Sequence, residues 1–282
     1  MPKRLDRLAD LNADYDVIFC DVWGVLHNGV QAWPFAGEAL GAFRRQGGSV
    51  VLITNSPRRR KGVGEQLDLI GVDPEAYDRI VTSGDVTRDL IKAGSKDVYF
   101  IGPDRDRPLL GGLGVNDAGL DEAGTVVCTG LFDDENEQPE EYISILEDFR
   151  KKDLPFICAN PDLVVERGER LIPCAGSIAA LYEKMGGRTL VSGKPHAPIY
   201  EAAVAAAKEL RPDIANGRIL AIGDGMPTDV KGAQDFGLDL LYVSDGIHAR
   251  DYTDRAVVDE GKLEAFLERN GARPVRWMQR LR

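Results

Sequence analysis

The chain contains 282 residues, carries a formal net charge of −11, and is 43% hydrophobic and 7% aromatic. This composition is typical of a globular protein with one large domain or two ordinary ones, and it excludes a disordered or fibrous chain. The acidic balance argues against a nucleic-acid binder, because phosphate backbones select basic surfaces. The sequence shows neither a signal peptide nor an apolar run of membrane-spanning length, so we expect a cytoplasmic protein without membrane attachment.

The first part of the chain alternates between strand and helix patterns. β-Branched runs and helical periodicity predict a strand over residues 16–22, a helix over 36–46, a strand over 49–55, a helix over 58–70 and a strand over 79–82. Pro34 precedes the first helix and Gly47 follows it, which is the usual arrangement at helix ends. The order strand, helix, strand predicts a βαβ unit with parallel strands.

The middle of the chain carries a second set of elements, after which the first rhythm returns. We predict strands over 97–101, 125–129 and 155–159 and helices over 139–152 and 177–184, followed by strand 189–192, helix 198–210, strand 218–222, helix 228–236 and strand 240–243. Alternation on both sides of an insertion predicts an α/β fold. Its Rossmann-like core, a doubly wound parallel sheet, would comprise residues 1–84 and 188–282, and an α/β cap domain would be inserted over 85–187.

Four short strings place polar residues at the ends of predicted strands. They are Asp-Val-Trp-Gly-Val at 21–25, Thr-Asn-Ser at 54–56, Gly-Lys-Pro at 193–195 and Gly-Asp-Gly-Met-Pro-Thr-Asp at 223–229. In an open parallel sheet the carboxyl ends of the strands meet at one crevice, so residues far apart in the chain can form a single site. We therefore expect the four strings to lie together.

Each string has a chemical interpretation and a simpler structural one. Asp21 can attack phosphorus and form an aspartyl-phosphate, although a single Asp at a strand end is more often a turn former or helix cap. Thr54, Asn55 and Ser56 precede a predicted helix, where hydroxyl, amide and main-chain N–H groups can bind phosphate or simply cap the helix. Lys194 can neutralise a transferring phosphoryl group, or it can be a solvated loop residue.

The last string suggests a magnesium site. Asp224 and Asp229 bracket a tight turn after the predicted strand 218–222. Mg²⁺ prefers one or two carboxylates together with water and phosphate oxygens, and these residues beside Asp21 can supply the protein ligands. The structural alternative is an Asp-Gly turn followed by a carboxylate at a helix N-terminus.

Together the strings resemble the haloacid dehalogenase superfamily, and the inserted region, with Ala-Asn-Pro-Asp at 159–162 and Pro-Cys-Ala-Gly-Ser at 173–177, resembles its class IIA branch of sugar and nucleotide phosphatases. The resemblance covers nearly the whole chain. It implies Asp21 as nucleophile, Thr54 and Asn55 as phosphate ligands and Lys194 as the clamp on the phosphoryl group. It also implies that Mg²⁺ is held by Asp21, Asp224 and the main-chain carbonyl of Trp23. Asp229 would support these three ligands. We expect the cap loops to select the substrate, including the neighbourhood of Asn160 and Asp162 and the acidic loop 133–137.

One position departs from the family pattern. Most phosphatases of this superfamily have a second Asp two residues after the nucleophile, which protonates the leaving oxygen and then activates water. Here that position is Trp23, whose indole cannot deliver a proton at neutral pH. His27 is a candidate replacement because the pKa of a histidine can lie near neutrality, and a loop histidine without catalytic function is the alternative.

The pattern as a whole predicts a Mg²⁺-dependent phosphatase that acts on a small phosphorylated metabolite such as a sugar phosphate. Trp23 keeps open a hydrolase that cleaves a carbon–phosphorus or carbon–halogen bond, because no ester oxygen then needs a proton. A catalytically weak protein that binds phosphorylated metabolites is a third interpretation. The sequence does not decide between a monomer and a homodimer.

Overall fold

The computed structural model describes residues 2–168, 170–255 and 257–282. Its strands are β1 Lys3–Arg4, β2 Val17–Cys20, β3 Ser49–Thr54, β4 Arg79–Thr82, β5 Asp97–Ile101, β6 Asn116–Asp117, β7 Thr125–Cys128, β8 Phe156–Cys158, β9 Val164–Arg167, β10 Arg170–Pro173, β11 Thr189–Val191, β12 Ile219–Gly223, β13 Asp239–Val243, β14 Thr253–Asp254, β15 Val257–Val258 and β16 Arg276–Met278. Its helices are α1 Pro34–Arg45, α2 Arg60–Ile70, α3 Ser83–Ala93, α4 Ile143–Lys151, α5 Ala175–Lys184, α6 Ala197–Leu210, α7 Lys231–Phe236 and α8 Glu260–Arg269. Within these ranges no helix has the length and apolarity needed to span a membrane.

The chain divides into two compact units. The first unit comprises Met1–Thr54, Gly64–Val81 and Tyr200–Arg282, and the second comprises Asn55–Val63 and Thr82–Ile199. The first unit is therefore built from segments on both sides of the second in the sequence. Each unit contains its own sheet and its own buried core.

The first unit is organised around a sheet with the strand order β1-β16-β13-β12-β2-β3-β4. The pairs from β1 through β3 run parallel. All four residues of β2 are buried, as expected for a strand that is covered on both faces of a parallel sheet. Because β2 lies between β12 and β3, the carboxyl ends of these three strands open at the same edge. The observed architecture confirms the predicted parallel-sheet α/β core.

The second unit contains a parallel sheet with the order β11-β8-β7-β5-β6. Successive residues of β7 face opposite sides of this sheet, because side chains alternate along a strand. Val126 and Cys128 pack with Phe149 and Tyr182, whereas Val127 packs in a separate cluster with Ile91. The helices of this unit therefore cover both faces of the sheet.

One strand that the sequence pattern predicts for the core lies in the other sheet. The strand predicted over 189–192 was assigned to the core, but β11 pairs with β8 in the second unit, where Thr189 lies opposite Phe156. The local pattern was correct because β-branched residues favour a strand in any sheet. The partner strand lies more than 30 residues earlier in the chain, so a local sequence pattern does not predict the pairing.

Several elements were not predicted at all. They include the helices α3 and α8 and the antiparallel hairpin formed by β9 and β10. The hairpin exposes Val164 and Leu171 to solvent and is tied to the acidic loop 133–137 by Arg167, which lies 3.0 Å from the Asp134 carboxylate. The two strands have only four residues each, with paired rather than alternating apolar residues, so they lack the alternation that identifies a half-buried strand.

Candidate active site

The register of the first sheet brings Asp21 and Asp224 together. Cys20 pairs with Ile222, and the Asp21 main-chain N–H donates to the Ile222 carbonyl at 2.8 Å. Asp21 therefore follows the last paired residue of β2, while Asp224 follows the end of the neighbouring strand β12. Two carboxylates separated by about two hundred residues thus meet because their strands are adjacent and parallel.

Asp229 completes a group of three carboxylates. It lies in a π-helical turn, Met226–Val230, and its Oδ2 accepts a hydrogen bond from the Gly225 N–H at 3.0 Å. One carboxylate oxygen from each of Asp21, Asp224 and Asp229 lies within 4.8 Å of the other two. Among the residues that the structure describes, this is the group with the composition and spacing of a metal site.

The carboxylate of Asp224 is enclosed by the backbone of two loops. Gly24 has a φ of 84°, and a Cβ at this position would lie 2.5 Å from Asp224 Oδ2, so a side chain is excluded by both conformation and space. On the other side, a Cβ at Gly246 would lie 2.0 Å from the same oxygen, and the Ile247 N–H donates to it at 2.7 Å. The backbone therefore fixes this carboxylate closely.

A second hydrogen bond links the loop that carries Asp224 to the loop that carries Ile247. The Met226 N–H donates to Nε2 of His248 at 3.2 Å, and Nδ1 of His248 lies 3.7 Å from the Asp251 carboxylate. Nε2 must be unprotonated to accept this bond, which agrees with burial lowering the pKa of His248. We refer to the two contacts, Ile247 to Asp224 and Met226 to His248, as the loop clasp.

The three carboxylates are almost fully buried, with exposures of 6% for Asp21 and 5% each for Asp224 and Asp229. Burial of like charges side by side is unfavourable unless a cation or hydrogen-bond donors compensate them. Oxygen ligands in this number suit Mg²⁺, which also retains water and phosphate oxygens in its coordination sphere. The donor set therefore fits the metal that the sequence predicts.

Trp23 packs against its own loop. A Cβ at Gly29, which has a φ of 83°, would lie 2.4 Å from Cζ2 of the indole, so the ring occupies the space above this glycine. The indole also contacts the imidazole of His27 edge to face, with ring centroids 4.9 Å apart. These contacts hold the indole against residues 27–29.

His27 is buried and engaged within the same loop. Only 1% of the residue is exposed, and its Nδ1 accepts a hydrogen bond from the Gly29 N–H at 2.9 Å. Burial lowers the pKa of His27 to about 4, so the ring is neutral at physiological pH. A general acid needs a proton to deliver and access to the leaving oxygen. The environment of His27 supplies neither, which argues against the acid–base function suggested by its sequence position.

Thr54 and Ser56 lie on either side of the boundary between the two units. Thr54 is the last residue of β3 and is buried. In the second unit, Oγ of Ser56 accepts a hydrogen bond from the Arg58 N–H at 3.3 Å. The hydroxyl of Ser56 therefore serves in the turn before α2, which is the capping alternative considered for this string.

Asn55 is fully engaged by hydrogen bonds inside the second unit. Its Oδ1 accepts from the Lys194 main-chain N–H at 2.8 Å, and its Nδ2 donates to the Lys194 carbonyl at 3.2 Å and to Asp162 Oδ1 at 2.8 Å. The carboxamide thus pairs with the backbone of Lys194 much as a neighbouring strand would. A phosphate contact by Asn55 would have to use its main-chain N–H.

Asn160 and Asp162 belong to the same hydrogen-bonded group. Oδ1 of Asn160 accepts from the Asp162 N–H at 3.1 Å, forming an Asx turn. This turn packs on the start of α5, since a Cβ at Gly176 would lie 2.3 Å from the Pro161 carbonyl. We name the set Asn55, Asn160, Asp162 and Lys194 the amide node. Its contacts position the buried Lys194, which is only 2% exposed.

The loop clasp was missed by sequence reasoning. His248 lies outside the four strings, and Ile247 contributes through its backbone. The available signal was the string Ser-Asp-Gly-Ile-His at 244–248, which follows β13 at the same edge of the sheet as Asp224. Glycine in such a string indicates a close approach of the backbone to another group.

The chain resembles known proteins along most of its length. The family of haloacid dehalogenase-like hydrolases matches residues 18–116, and a related HAD-hydrolase-like family matches residues 191–263. A crystal structure of a haloacid dehalogenase-like hydrolase from Brucella suis is 50% identical, covers 100% of both chains and superposes with a TM-score of 0.89. The 5′-nucleotidase YutF of Bacillus subtilis and the ribonucleotide monophosphatase NagD of Escherichia coli K12 are each 26% identical over 84% of this chain and 90% of their own.

Proposed function

Because the chain belongs to the haloacid dehalogenase-like hydrolases, within their class IIA branch, we propose that it is a Mg²⁺-dependent phosphatase. Its substrate would be a small phosphorylated metabolite, and its nucleophile would be Asp21. The observation that carries this proposal is the convergence of Asp21, Asp224 and Asp229, with ligand oxygens within 4.8 Å of one another, at the carboxyl ends of adjacent parallel strands. The phosphatase and nucleotidase names of the curated relatives support the same reaction class.

The metal would be held by Asp21, Asp224 and the main-chain carbonyl of Trp23, with Asp229 in support. When bound, Mg²⁺ neutralises charge on phosphoryl oxygens and so favours attack by an anion. The protein fixes the ligands in advance: Gly24, Gly246 and the Ile247 N–H hold the carboxylate of Asp224. This arrangement reduces the reorganisation that metal binding requires.

The remaining residues would bind the phosphoryl group. Asp21 attacks phosphorus, the bond to the leaving oxygen breaks, and the resulting aspartyl-phosphate is hydrolysed by water. Thr54 would donate its hydroxyl to a phosphoryl oxygen, together with the main-chain N–H groups of Asn55 and Ser56. Lys194 would neutralise the charge that builds on these oxygens. The amide node would orient Lys194 through its backbone.

A second reaction class is favoured by one residue. Trp23 offers no proton for an ester oxygen, which suits cleavage of a carbon–phosphorus or carbon–halogen bond. Three clustered carboxylates disfavour the halide version, because attack on carbon needs no metal. A phosphonate substrate is therefore the alternative to be included in any assay.

The test is a screen of phosphorylated metabolites and phosphonates with Mg²⁺ or with EDTA, carried out on the wild-type protein and on Asp21→Asn. We expect phosphate release from phosphate esters or anhydrides, abolished by EDTA and by the substitution. Asn preserves the size of the side chain, so retained folding of the variant is the control. Phosphate release by Asp21→Asn at the wild-type rate would contradict the proposal, as would a wild-type protein that binds a metabolite but never turns it over.

A further inference from the structure

The loop that follows the nucleophile contains few groups that could protonate a leaving oxygen. Residues 22–33, all of which the structure describes, include one ionisable side chain, His27. Trp23 occupies the position two residues after Asp21, and its indole N–H is not an acid at neutral pH. The indole also packs on Gly29 and on the imidazole of His27. The side chain two residues after the proposed nucleophile therefore has no transferable proton.

His27 does not compensate for this. In a neutral imidazole one nitrogen donates and the other accepts, and here Nδ1 accepts the Gly29 N–H. This nitrogen is therefore occupied by the backbone of its own loop and does not point towards a substrate-accessible surface. The backbone of His27 is also fixed, because it forms bridges to both Trp23 and Ala32. A ring that is 1% exposed and held in this way is part of the loop structure.

A missing acid matters for some leaving groups and not for others. An alkoxide is a very strong base and needs a proton as it leaves, whereas a carboxylate or phosphate is stable as an anion at neutral pH. We propose that the natural substrate is an acyl phosphate or a phosphoric anhydride, whose leaving group departs unprotonated. This inference rests on the proposed phosphatase function and narrows its substrate class.

The chemistry balances without a protein acid. The Asp21 carboxylate forms a bond to phosphorus while the bond to the leaving oxygen breaks, and that oxygen keeps the electron pair as a carboxylate or phosphate anion. Water then attacks the aspartyl-phosphate and the phosphorus–oxygen bond to Asp21 breaks. Both protons of the water end on the product, dihydrogen phosphate, and the Asp21 carboxylate is regenerated. Solvent then exchanges protons with the product.

The test is the dependence of kcat/KM on the leaving group, measured with Mg²⁺. The probes are acetyl phosphate, a series of aryl phosphates from p-nitrophenyl to phenyl phosphate, and glycerol phosphate as the alkyl case. We expect acetyl and p-nitrophenyl phosphate to react, and glycerol phosphate to react about 100-fold to 10,000-fold more slowly, the range that a positioned acid contributes. Asp21→Asn provides the blank for spontaneous hydrolysis of acetyl phosphate.

The possible failures can be told apart. A flat series, with glycerol phosphate as good a substrate as p-nitrophenyl phosphate, would show phosphatase activity but overturn the inference about the leaving group. Release from none of these probes and from no metabolite in the wider screen would instead overturn the phosphatase function, and this inference with it.

Two variants test whether the missing acid at position 23 causes the dependence of the rate on the leaving group. Trp23→Asp restores a protonatable group, and we expect it to raise the rate for glycerol phosphate relative to p-nitrophenyl phosphate by about 100-fold, the lower end of what a positioned acid contributes. Trp23→Asn matches Asp in size without an acidic proton, so the rate for glycerol phosphate relative to p-nitrophenyl phosphate should be lower in this variant than in Trp23→Asp. An equal change of this rate ratio in both variants would show that the size of the indole, and not its lack of an acidic proton, determines the ratio. If neither variant folds, the wild-type series alone decides.

Discussion

The buried polar groups of the two units are arranged in opposite ways. In the first unit, Asp21, Asp224 and Asp229 place like charges within 4.8 Å of one another. In the second unit, the amide node pairs donors with acceptors: both N–H bonds and the oxygen of the Asn55 carboxamide are used by Lys194 and Asp162. The first arrangement brings like charges together, which costs free energy that a bound cation would offset, and the second pairs complementary groups, which stabilises the fold. Like charges gathered by a fold therefore indicate chemistry, and complementary groups indicate architecture.

The largest effect is expected from substitution of the proposed nucleophile, Asp21. Asp21→Asn should lower kcat by roughly 10⁴-fold or more, as removal of a nucleophile usually does. The same change should raise the melting temperature in EDTA, because it removes one of three neighbouring negative charges, an effect of about 1 kcal/mol or more. Activity assays and thermal unfolding with and without Mg²⁺ measure the two effects. A variant that is less stable than the wild type in EDTA would contradict this account of the carboxylate group.

Substitutions in the amide node should lower the stability of the protein, in contrast to Asp21→Asn in EDTA. Asn55→Ala removes three hydrogen bonds and takes these partners from the buried backbone of Lys194 and from the half-buried carboxylate of Asp162, so we expect a loss of about 2–4 kcal/mol in the free energy of unfolding. Urea unfolding measures it. The matched control is Ser56→Ala at the neighbouring, half-buried position, which removes the 3.3 Å hydrogen bond from the Arg58 N–H and should cost less than about 1 kcal/mol. Equal losses in the two variants would contradict the conclusion that the hydrogen bonds of the amide node stabilise the fold.

The loop clasp can be tested through metal affinity. His248→Ala removes the acceptor for the Met226 N–H and should raise the Mg²⁺ concentration for half-saturation about threefold to tenfold, the equivalent of one ordinary hydrogen bond. His248→Gln can place an amide oxygen near the same N–H and should restore part of the affinity. The measurement is the shift in melting temperature during a Mg²⁺ titration, which does not depend on turnover. Identical titration curves for all three proteins would exclude a positioning function for His248.

The smallest expected effect concerns a buried carboxylate of the second unit. Asp106 is 5% exposed and its carboxylate lies 3.4 Å from Nε of Arg58. Burial raises the pKa of Asp106, with Arg105 and Arg58 opposing the rise. The folded state therefore binds this proton more tightly than the unfolded state, so this group's contribution to stability is complete below pH 3.8 and falls as the pH rises through the folded pKa.

Replacement by Asn separates the charge from the shape. Asp106→Asn loses that pH dependence, so its stability relative to the wild type should improve between pH 4 and pH 7. Chemical unfolding at the two pH values measures the difference. A relative stability that falls over this interval would mean that the Arg58 pair outweighs burial.

Much of the fold could be predicted from the sequence because its signals are local. The strands Arg79–Thr82 and Asp97–Ile101 have the predicted bounds, and most other predicted elements differ by only a few residues at their ends. β-Branched runs, helical periodicity and terminal Pro and Gly act over distances of a few residues, so they can be read without the partner segments. The same reasoning identified Asp21, Asp224 and Asp229, since polar residues at the ends of parallel strands converge.

The assignment of elements to sheets and the state of individual side chains required the tertiary structure. β11 joined the second sheet because Thr189 meets Phe156, a contact that no short window contains. His27 has the sequence position of an acid, but burial and the Gly29 N–H make it a neutral structural residue.

The sequence by itself therefore determined which residues could perform chemistry and at which edge of the sheet three of them would meet. Only the tertiary structure decided which polar groups are occupied by partners within the protein, as in Asn55, and which are gathered as like charges. The reason is physical: hydrogen bonding and desolvation depend on neighbours that are distant in the chain, whereas the propensity for a strand or a helix does not.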